Sequence, residues 1–256
     1  IMATGNLSTP RVPNFKGLQS FRGKWYHTGQ WPHEEVDFTG LRVGVIGTGS
    51  SAIQAIPIIA KQAKHLHVFQ RTANYSVPAH NASLDPNHVR QHKAEYPARR
   101  RAAYDTPFGI AGYPPPTKPA SEAPIEERIR LYEDKWKQGG TIGFLYSYTD
   151  LLTSKDANET AAQFVREKVR SIVKDPATAN LLCAKDHPIG TKRLCLDIGY
   201  YETFNRDNVT LVDASHAPIQ EITPSGVRTS EQNYEFDAIV FATGFDAMTG
   251  PLLRMD

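Results

Sequence analysis

The chain has few of the features that define several common protein classes. Its 256 residues include only two cysteines, Cys183 and Cys195. Two are too few for a disulfide framework, so we expect reduced thiols in a cytoplasmic protein. No apolar run approaches the length of a membrane span. The formal net charge of +2 is too small to indicate nucleic-acid binding. We therefore predict neither a membrane nor a nucleic acid as partner.

Several common catalytic motifs are also absent. The sequence has no Gly-x-Ser-x-Gly elbow and no phosphate-binding Gly-Lys-Ser/Thr loop. His88 and His92 have the spacing of helical metal ligands, but no third ligand is evident, so we expect no metal site. His65 and His67 share one face of a predicted strand, where packing or solvation explains them best. The arginines at 99–101 are compatible with an anion site, but a solvated helix face is the stronger interpretation.

A strand, a turn, a helix and a second strand follow one another in the first third of the chain. Residues 41–46 are an apolar run typical of a buried strand, and residues 66–69 predict the next strand. Between them, residues 50–63 carry a helical apolar stripe, in which Pro57 should kink the helix or shift its boundary. This order predicts a βαβ unit and an α/β fold of the Rossmann type.

The turn of this unit has the spacing that binds a dinucleotide. Gly47 permits the sharp turn, Gly49 lets backbone amides approach a pyrophosphate, and the small Ala52 lets helix and strand pack closely. The N-terminus of the helix then offers unpaired N–H groups to the phosphates. The alternative is a purely structural glycine turn. We predict that the cofactor-binding residues here are Gly47, Thr48, Gly49, Ser50, Ser51, Ala52, Ile53 and Gln54.

The residues after the second strand indicate which dinucleotide is bound. NAD sites usually carry an acidic residue there for the ribose 2′-hydroxyl, whereas this chain has Gln70, Arg71 and Thr72. A guanidinium favours a 2′-phosphate through paired charge-assisted hydrogen bonds. Arg71 and Thr72 therefore predict NADPH rather than NADH, the alternative being an exposed surface arginine.

The middle of the chain, about 84–180, is more charged and predominantly helical. Helices are predicted near 121–137 and 157–173, and Asp156 with Glu159 is a possible start signal for the second. We interpret this region as a helical insertion beside the sheet or the mouth of the site.

Strands return towards the end of the chain, at 209–212, 217–222 and 238–241. The last strand runs into Ala242-Thr243-Gly244, which repeats Ala3-Thr4-Gly5 near the start. Two such tripeptides around one dinucleotide-binding unit suggest two crossings to a neighbouring domain, although a coincidence of a common tripeptide is possible. We expect the chain to be an interior fragment of a longer protein.

A second string precedes the glycine turn and resembles a known family. It has the pattern Phe-x-Gly-x-x-x-His-x-x-x-Trp-Pro, formed by Phe21, Gly23, His27, Trp31 and Pro32. With the glycine turn, this string is similar to the flavin-dependent Baeyer–Villiger monooxygenases, within them the phenylacetone, cyclohexanone and steroid monooxygenase group. The resemblance covers essentially the whole chain.

The resemblance implies an enzyme that uses NADPH, FAD and dioxygen to convert a ketone to an ester or lactone. From spacing alone, Lys192 and Arg193 would be surface charges. By resemblance, Lys192 reaches the NADP phosphate, and Arg193 is the catalytic cation beside the developing negative charge. His27 would couple domain motion to NADPH and would not be a general base.

The resemblance also implies two dinucleotide-binding domains, with the NADPH domain inserted into the FAD domain. The first glycine-rich turn of an FAD domain is absent from this sequence, so missing FAD-domain segments of the same protein are expected partners. The expected order is the end of the FAD domain and a linker at 1–40, the NADPH-binding domain at 41–83 and 183–241, the helical insertion at 84–182, and the return to the FAD domain at 242–256.

Two other functions remain open. The chain could act as an NADP-binding module without oxygenation, or belong to an N- or S-oxygenating flavoprotein monooxygenase. The string from Phe21 to Pro32 and Arg193 argue against the second of these. No motif identifies the ketone or the oligomeric state.

Overall fold

A computed structural model of the chain describes residues 5–106 and 109–254. The strands in these residues are β1 (Lys24–His27), β2 (Arg42–Ile46), β3 (His65–Gln70), β4 (Ser76–Pro78), β5 (Cys195–Asp197), β6 (Val209–Asp213), β7 (Ile219–Thr223), β8 (Gly226–Thr229), β9 (Asn233–Glu235) and β10 (Ala238–Phe241). The α-helices are α1 (Ser50–Gln62), α2 (Pro86–Ala94), α3 (Tyr96–Tyr104), α4 (Ile125–Gln138), α5 (Thr141–Leu145), α6 (Lys155–Ile172), α7 (Pro176–Leu182) and α8 (Tyr200–Thr203).

The described residues fall into two compact units. The first lies within 1–76, 166–187 and 199–256, and the second comprises 77–165 and 188–198, without its two undescribed positions. None of the helices in the described residues is long and apolar enough to cross a membrane.

The first unit contains a five-stranded parallel sheet in the order β1-β10-β2-β3-β6. In β2, Val43, Val45 and Ile46 are all buried, as expected for a central parallel strand covered on both faces. Because all five strands are parallel, their carboxyl ends lie at one edge of the sheet. This confirms the predicted mixed α/β fold with a parallel sheet.

The predicted βαβ unit is present, with small differences at its boundaries. Strand β3 extends one residue beyond each end of the predicted 66–69, and α1 runs from Ser50 to Gln62. The helix continues through Pro57, so the proline does not shift its boundary as one alternative expected. Burial explains why the helix persists, since Ile53, Ile56 and Ile59 are 3% exposed or less.

A three-stranded antiparallel sheet, β7-β8-β9, contributes to the apolar core on one face of the parallel sheet. Phe69 of β3 contacts Tyr234 and Phe236, with ring centroids 5.1 and 5.9 Å apart. Strands β8 and β9 were not predicted, and the strand expected at 217–222 is β7. Strand β9 has no buried position, and β8 contains one large apolar residue, Val227, among Gly226, Arg228 and Thr229, so neither shows the apolar alternation on which the prediction depended.

The segment at 1–40, expected to be the end of the FAD domain and a linker, contains strand β1. This strand lies at the edge of the sheet and pairs with β10, from Lys24 with Ala238 to His27 with Phe241. Lys24 and Trp25 are exposed, so the strand lacks the apolar alternation that predicts a buried strand. The family string therefore begins just before this edge strand, at Phe21, and continues into the residues that follow it.

The two segments expected to cross to a neighbouring domain lie side by side. Pro10 pairs antiparallel with Phe245, and the N–H of Arg11 donates to the carbonyl of Gly244 at 2.9 Å. Ala3 and Thr4 of the repeated tripeptide lie outside the described residues.

The second unit is mainly helical and contains an aromatic core. Tyr132, Phe144 and Phe164 lie with ring centroids 5.6 to 6.1 Å apart. Burial raises the pKa of Tyr132 to about 12, and its hydroxyl lies 2.8 Å from Oγ1 of Thr160. The two long predicted helices correspond to α4 and α6.

The start of α6 differs from the prediction. Oγ of Ser154 accepts the N–H of Ala157 at 3.3 Å, and the carbonyl of Ser154 accepts the N–H of Asn158 at 3.0 Å. Ser154 is therefore the residue that caps this helix, rather than the predicted pair Asp156 and Glu159.

Candidate functional site

Four segments of the first unit meet at the carboxyl edge of the parallel sheet. The glycine turn follows β2, Arg71 follows β3, Ala242 and Thr243 follow β10, and β1 ends at His27. In open α/β sheets, ligands bind outside the carboxyl ends of the strands, where the strand order reverses direction. Strand β2 lies at such a point, between β10 and β3.

Gly47 is required by the fold itself. Its φ is +109°, and a Cβ atom would lie 2.5 Å from the carbonyl oxygen of Ala242. Its N–H donates to the carbonyl of Phe69 at 3.0 Å, which closes the turn against β3. A side chain here would combine backbone strain with a collision against main chain.

Gly49 is different, because nothing inside the described residues requires a glycine there. Its φ of −81° and ψ of −175° suit any residue, and no atom lies within 4 Å of an added Cβ. Helix α1 begins directly after Gly49 without a capping side chain. An open cradle before an uncapped helix N-terminus fits an anionic group that approaches the backbone.

The side chains of the other residues predicted for this turn differ in their exposure to solvent. The side chains of Ala52 and Ile53 are 0% exposed, so neither side chain can contact a ligand. Ser51 and Gln54 are exposed, and Ser50 is partly exposed. Thr48 is buried, and its hydroxyl donates to the carbonyl of Thr72 at 3.0 Å.

Arg71 is exposed at the edge and has no hydrogen bond or ion pair within the described residues. The strand that ends before it is tightly held. The buried Gln70 donates from Nε2 to the carbonyl of Leu181 at 2.8 Å, and its own carbonyl accepts the N–H of Ala214 at 2.8 Å. A guanidinium on a fixed backbone, without an acidic partner, can bind a phosphate through paired hydrogen bonds.

His27 of the family string is 2% exposed and lies against the segment after β10. Its Nδ1 accepts the N–H of Gly29 at 3.0 Å, and its Nε2 lies 3.3 Å from Oγ1 of Thr243. Burial lowers the pKa of His27, against the opposing effect of the carbonyls of Arg11 and Gly244. A buried ring with a protein partner at each nitrogen holds the end of β1 against the segment after β10.

The rest of the family string shapes this edge strand. Phe21 belongs to the apolar core, and a Cβ atom on Gly23 would lie 2.4 Å from the carbonyl oxygen of Asp237. Trp31 is 40% exposed, with its ring centroid 5.5 Å from that of Tyr26. Pro32 follows it and is partly exposed.

Lys192 and Arg193 lie in the second unit and are both exposed. The loop before them is held by Asn158, which is 7% exposed. Its Nδ2 donates to the carbonyl of Ile189 at 2.8 Å, and its Oδ1 accepts the N–H of Ile189 at 2.9 Å. Neither Asn158 nor Asn74, which binds Thr48, was predicted, because a single asparagine within a helix or loop has no diagnostic spacing.

The predicted site residues fall into two groups, one in each compact unit. The glycine turn, Arg71, Thr72 and His27 belong to the first unit, and the pair Lys192 and Arg193 belongs to the second. Within the described residues, no group of three or more His, Cys, Asp or Glu side chains is placed to hold a metal ion.

Comparison with known proteins gives the wider context. No protein-family model matches the chain. It is 44% identical over 262 residues to 2-oxo-Delta(3)-4,5,5-trimethylcyclopentenylacetyl-CoA monooxygenase of Pseudomonas putida, covering 100% of this chain and 48% of that protein. It is 43% identical over 258 residues to cyclohexanone 1,2-monooxygenase of Acinetobacter sp., covering 100% of this chain and 47% of that protein.

A solved structure agrees with these relatives. An oxidized steroid monooxygenase bound to NADP has 52% sequence identity and a TM-score of 0.93, covering 98% of this chain and 47% of that one. A phenazine N-monooxygenase of Lysobacter antibioticus is also similar, at 36% identity over 258 residues, covering 100% of this chain and 47% of that protein. The chain spans about half the length of the curated relatives it matches.

The fold and the edge site define a dinucleotide-binding protein of the Rossmann type. The relatives refine this class, because they match the chain over its whole length. Over its whole length, the chain is similar to monooxygenases that include cyclohexanone 1,2-monooxygenase and a steroid monooxygenase bound to NADP.

Proposed function

We propose that this chain is the NADPH-binding part of a Baeyer–Villiger monooxygenase, which inserts one oxygen atom of dioxygen into a ketone to give an ester or lactone. The observation that carries the proposal is Gly49. The fold does not require a glycine there, but a pyrophosphate at the N-terminus of α1 does. The exposed Arg71 at the same edge supports NADPH over NADH.

The cofactors of this proposal are NADPH and FAD. NADPH supplies the hydride and FAD supplies the oxygen chemistry, while the protein binds and orients them. The residues that would hold NADPH are the glycine turn, Arg71, Thr72 and Lys192. The sequence contains a single Gly-x-Gly pair, at Gly47 and Gly49, so we assign the glycine-rich turn that binds FAD to further segments of the same protein.

Arg193 is the proposed catalytic residue. A guanidinium stays protonated at working pH, so its contribution is a permanent positive charge beside the oxygen on which negative charge develops. It cannot act as a proton donor. The substrate is a small-molecule ketone, and its size is not part of the proposal.

A cytoplasmic location is also part of the proposal. Cys183 and Cys195 are both free and buried. Burial raises the pKa of the Cys183 thiol, which favours the protonated and less reactive form. Two buried thiols without a disulfide suit a reducing compartment.

The test of the NADPH assignment is Arg71→Ala in the complete enzyme. We expect the Kd for NADPH to rise about 10- to 100-fold, with little change for NADH, because only NADPH has a phosphate for this guanidinium. Binding would be measured by isothermal titration calorimetry. Arg22→Ala is the matched control, since Arg22 is an exposed arginine before the amino end of β1. Equal losses for both nucleotides would contradict the role of Arg71.

A second candidate function is oxygenation at nitrogen. The similarity to a phenazine N-monooxygenase over the whole chain favours it. Incubation of the complete enzyme with a ketone panel and with an aromatic amine panel, followed by mass spectrometry, distinguishes the two. Esters or lactones support the first function, and N-oxides support the second.

A third possibility is that the chain binds NADP alone and oxygenates nothing. The chain by itself, supplied with FAD and a ketone, should oxidise almost no NADPH under either hypothesis. The complete enzyme would discriminate, because a binding module would give no ester even with all segments present.

A further inference from the structure

We propose that Thr48 and Asn74 are positioning residues that hold two phosphate-binding loops of the first unit in register. They would thereby favour a dinucleotide that carries both a pyrophosphate and a 2′-phosphate. This inference rests on the proposed NADPH function and deepens it by explaining how two phosphate subsites are coordinated.

The two residues form a clamp between the glycine turn and the segment after β3. Oγ1 of Thr48 donates to the carbonyl of Thr72 at 3.0 Å. In the other direction, Nδ2 of Asn74 donates to the carbonyl of Thr48 at 2.7 Å. Thr48 lies at the centre of the glycine turn and is 5% exposed, and both bonds are partly buried. The clamp therefore joins the two loops through both the side chain and the main chain of Thr48.

The direction of the first hydrogen bond decides what Thr48 can do. A hydroxyl has one proton to donate, and here Thr72 receives it. The Thr48 hydroxyl is therefore not a donor to a phosphate, although the residue lies within the predicted cofactor-binding turn. Its side chain acts on the protein, through the loop that begins with Arg71.

The clamp matters most to a ligand that uses both loops. Arg71 directly precedes Thr72, so the backbone that carries the guanidinium is held at a fixed distance from the glycine turn. A ligand with two phosphate groups gains from binding both subsites at once only while their spacing matches the ligand. A mobile Arg71 loop would also have to be ordered on binding, at an entropic cost.

A purely structural role makes a different prediction. If the clamp only stabilised the fold, its loss would weaken the binding of every nucleotide by the same factor. If the clamp holds the subsites in register, its loss weakens the binding of ligands that occupy both subsites and leaves the binding of ligands that occupy one subsite nearly unchanged. NADP⁺ bridges both subsites, NAD⁺ lacks the 2′-phosphate, and 2′-AMP lacks the pyrophosphate.

The experiment measures these three ligands by isothermal titration calorimetry on the complete flavoenzyme. For Thr48→Val and Asn74→Ala, we expect the Kd for NADP⁺ to rise about 5- to 10-fold and those for NAD⁺ and 2′-AMP to change less than about 2-fold. Thr48→Ser keeps the hydroxyl and should bind all three ligands as the wild type does. Thermal unfolding checks that each variant is folded.

The matched control is Thr203→Val. Thr203 lies on α8, is 5% exposed, and also donates its hydroxyl to a backbone carbonyl, that of Gly199, at 2.7 Å. It should leave all three affinities unchanged. If Thr48→Val weakens the binding of all three ligands equally, or weakens none of them, the proposed role of the clamp is overturned. A wild-type protein that does not prefer NADP⁺ to NAD⁺ overturns the proposed function itself, and the clamp with it.

Discussion

Oγ1 of Thr243 lies 3.3 Å from Nε2 of His27, across the two segments that follow β10 and β1. The Thr243 hydroxyl itself donates to the carbonyl of Arg11 at 2.5 Å, so its oxygen accepts the hydrogen bond from the imidazole N–H. The other ring nitrogen accepts the N–H of Gly29, which assigns the neutral tautomer with its proton on Nε2. His27 therefore joins the end of β1 to the segment after β10 without carrying a charge.

Removal of this side chain should destabilise the protein. We expect His27→Ala to lower the free energy of unfolding by about 1–3 kcal/mol, because a buried ring and two partly buried hydrogen bonds are lost and the N–H of Gly29 loses its acceptor. Urea titration followed by circular dichroism measures this. His33→Ala is the control, since His33 is exposed, and it should change stability by less than about 0.5 kcal/mol. Equal effects of the two variants would contradict the role of His27.

Stability should fall in mild acid because of His67. Burial, followed by the nearby His65, lowers the pKa of His67 to about 4, whereas an unfolded histidine titrates near 6.5. Between these values the unfolded chain binds more protons than the folded one, so the stabilising contribution is complete above about pH 6.5 and is lost towards pH 4. Urea titrations at several pH values would measure this decline.

His67→Phe provides the comparison. The His67 ring centroid lies 5.2 Å from that of Tyr234 and 5.5 Å from that of Phe236, so a phenylalanine suits the site and cannot titrate. The variant should lose less stability than the wild type over the same pH range. An unchanged pH profile would show that His67 is not responsible.

The two glycines of the turn should respond differently to the same substitution. Gly47→Ala should lower the free energy of unfolding by roughly 2–4 kcal/mol, because the new methyl group meets the carbonyl of Ala242 at a positive φ. Gly49→Ala should leave stability within about 1 kcal/mol, because its backbone suits alanine.

Gly49→Ala should weaken nucleotide binding even though it has little effect on stability. We expect folded Gly49→Ala protein to bind NADP⁺ about 10-fold more weakly, since the methyl group occupies the space of the pyrophosphate. Calorimetry on the complete enzyme measures this loss. Undiminished affinity would leave the open space at Gly49 without a ligand to explain it.

Arg193→Ala should separate reduction from oxygenation. In the complete enzyme, we expect NADPH still to reduce the flavin, while ester formation is lost because the cation beside the developing charge is missing. Stopped-flow absorbance measures the first step, and gas chromatography of the products measures the second. Arg193→Lys keeps the positive charge and should retain more activity than the alanine variant. Undiminished ester formation in Arg193→Ala would remove this residue from the mechanism.

Much of the fold could be predicted from local sequence patterns. The apolar run before Gly47, the helical stripe after it and the next apolar run correspond to β2, α1 and β3, because burial of these elements depends on their own residues. Strand β1 could not be predicted in this way. Its partner, β10, is far away in the chain, and an exposed edge strand lacks the apolar alternation that identifies buried strands.

The candidate site shows the same division. The sequence indicated Gly47, Gly49 and Arg71 by type and spacing, with Gly47 permitting the turn and Gly49 the approach of a pyrophosphate. Only the structure shows the atom that excludes a side chain at Gly47, which is the carbonyl oxygen of Ala242. The hydrogen bonds of Asn74 and Asn158 could likewise not be predicted from the sequence, because an asparagine amide can bind any backbone group within reach.

The sequence by itself determined the βαβ unit, the glycine turn and the guanidinium that favours a 2′-phosphate, since each depends on residue type at short spacing. The tertiary structure decided which strand closes the edge of the sheet, where His27 is held, and how Thr48 joins two loops. Those features depend on backbone hydrogen bonds between distant segments. Every residue but proline offers the same backbone donor and acceptor, so folding alone selects the partners.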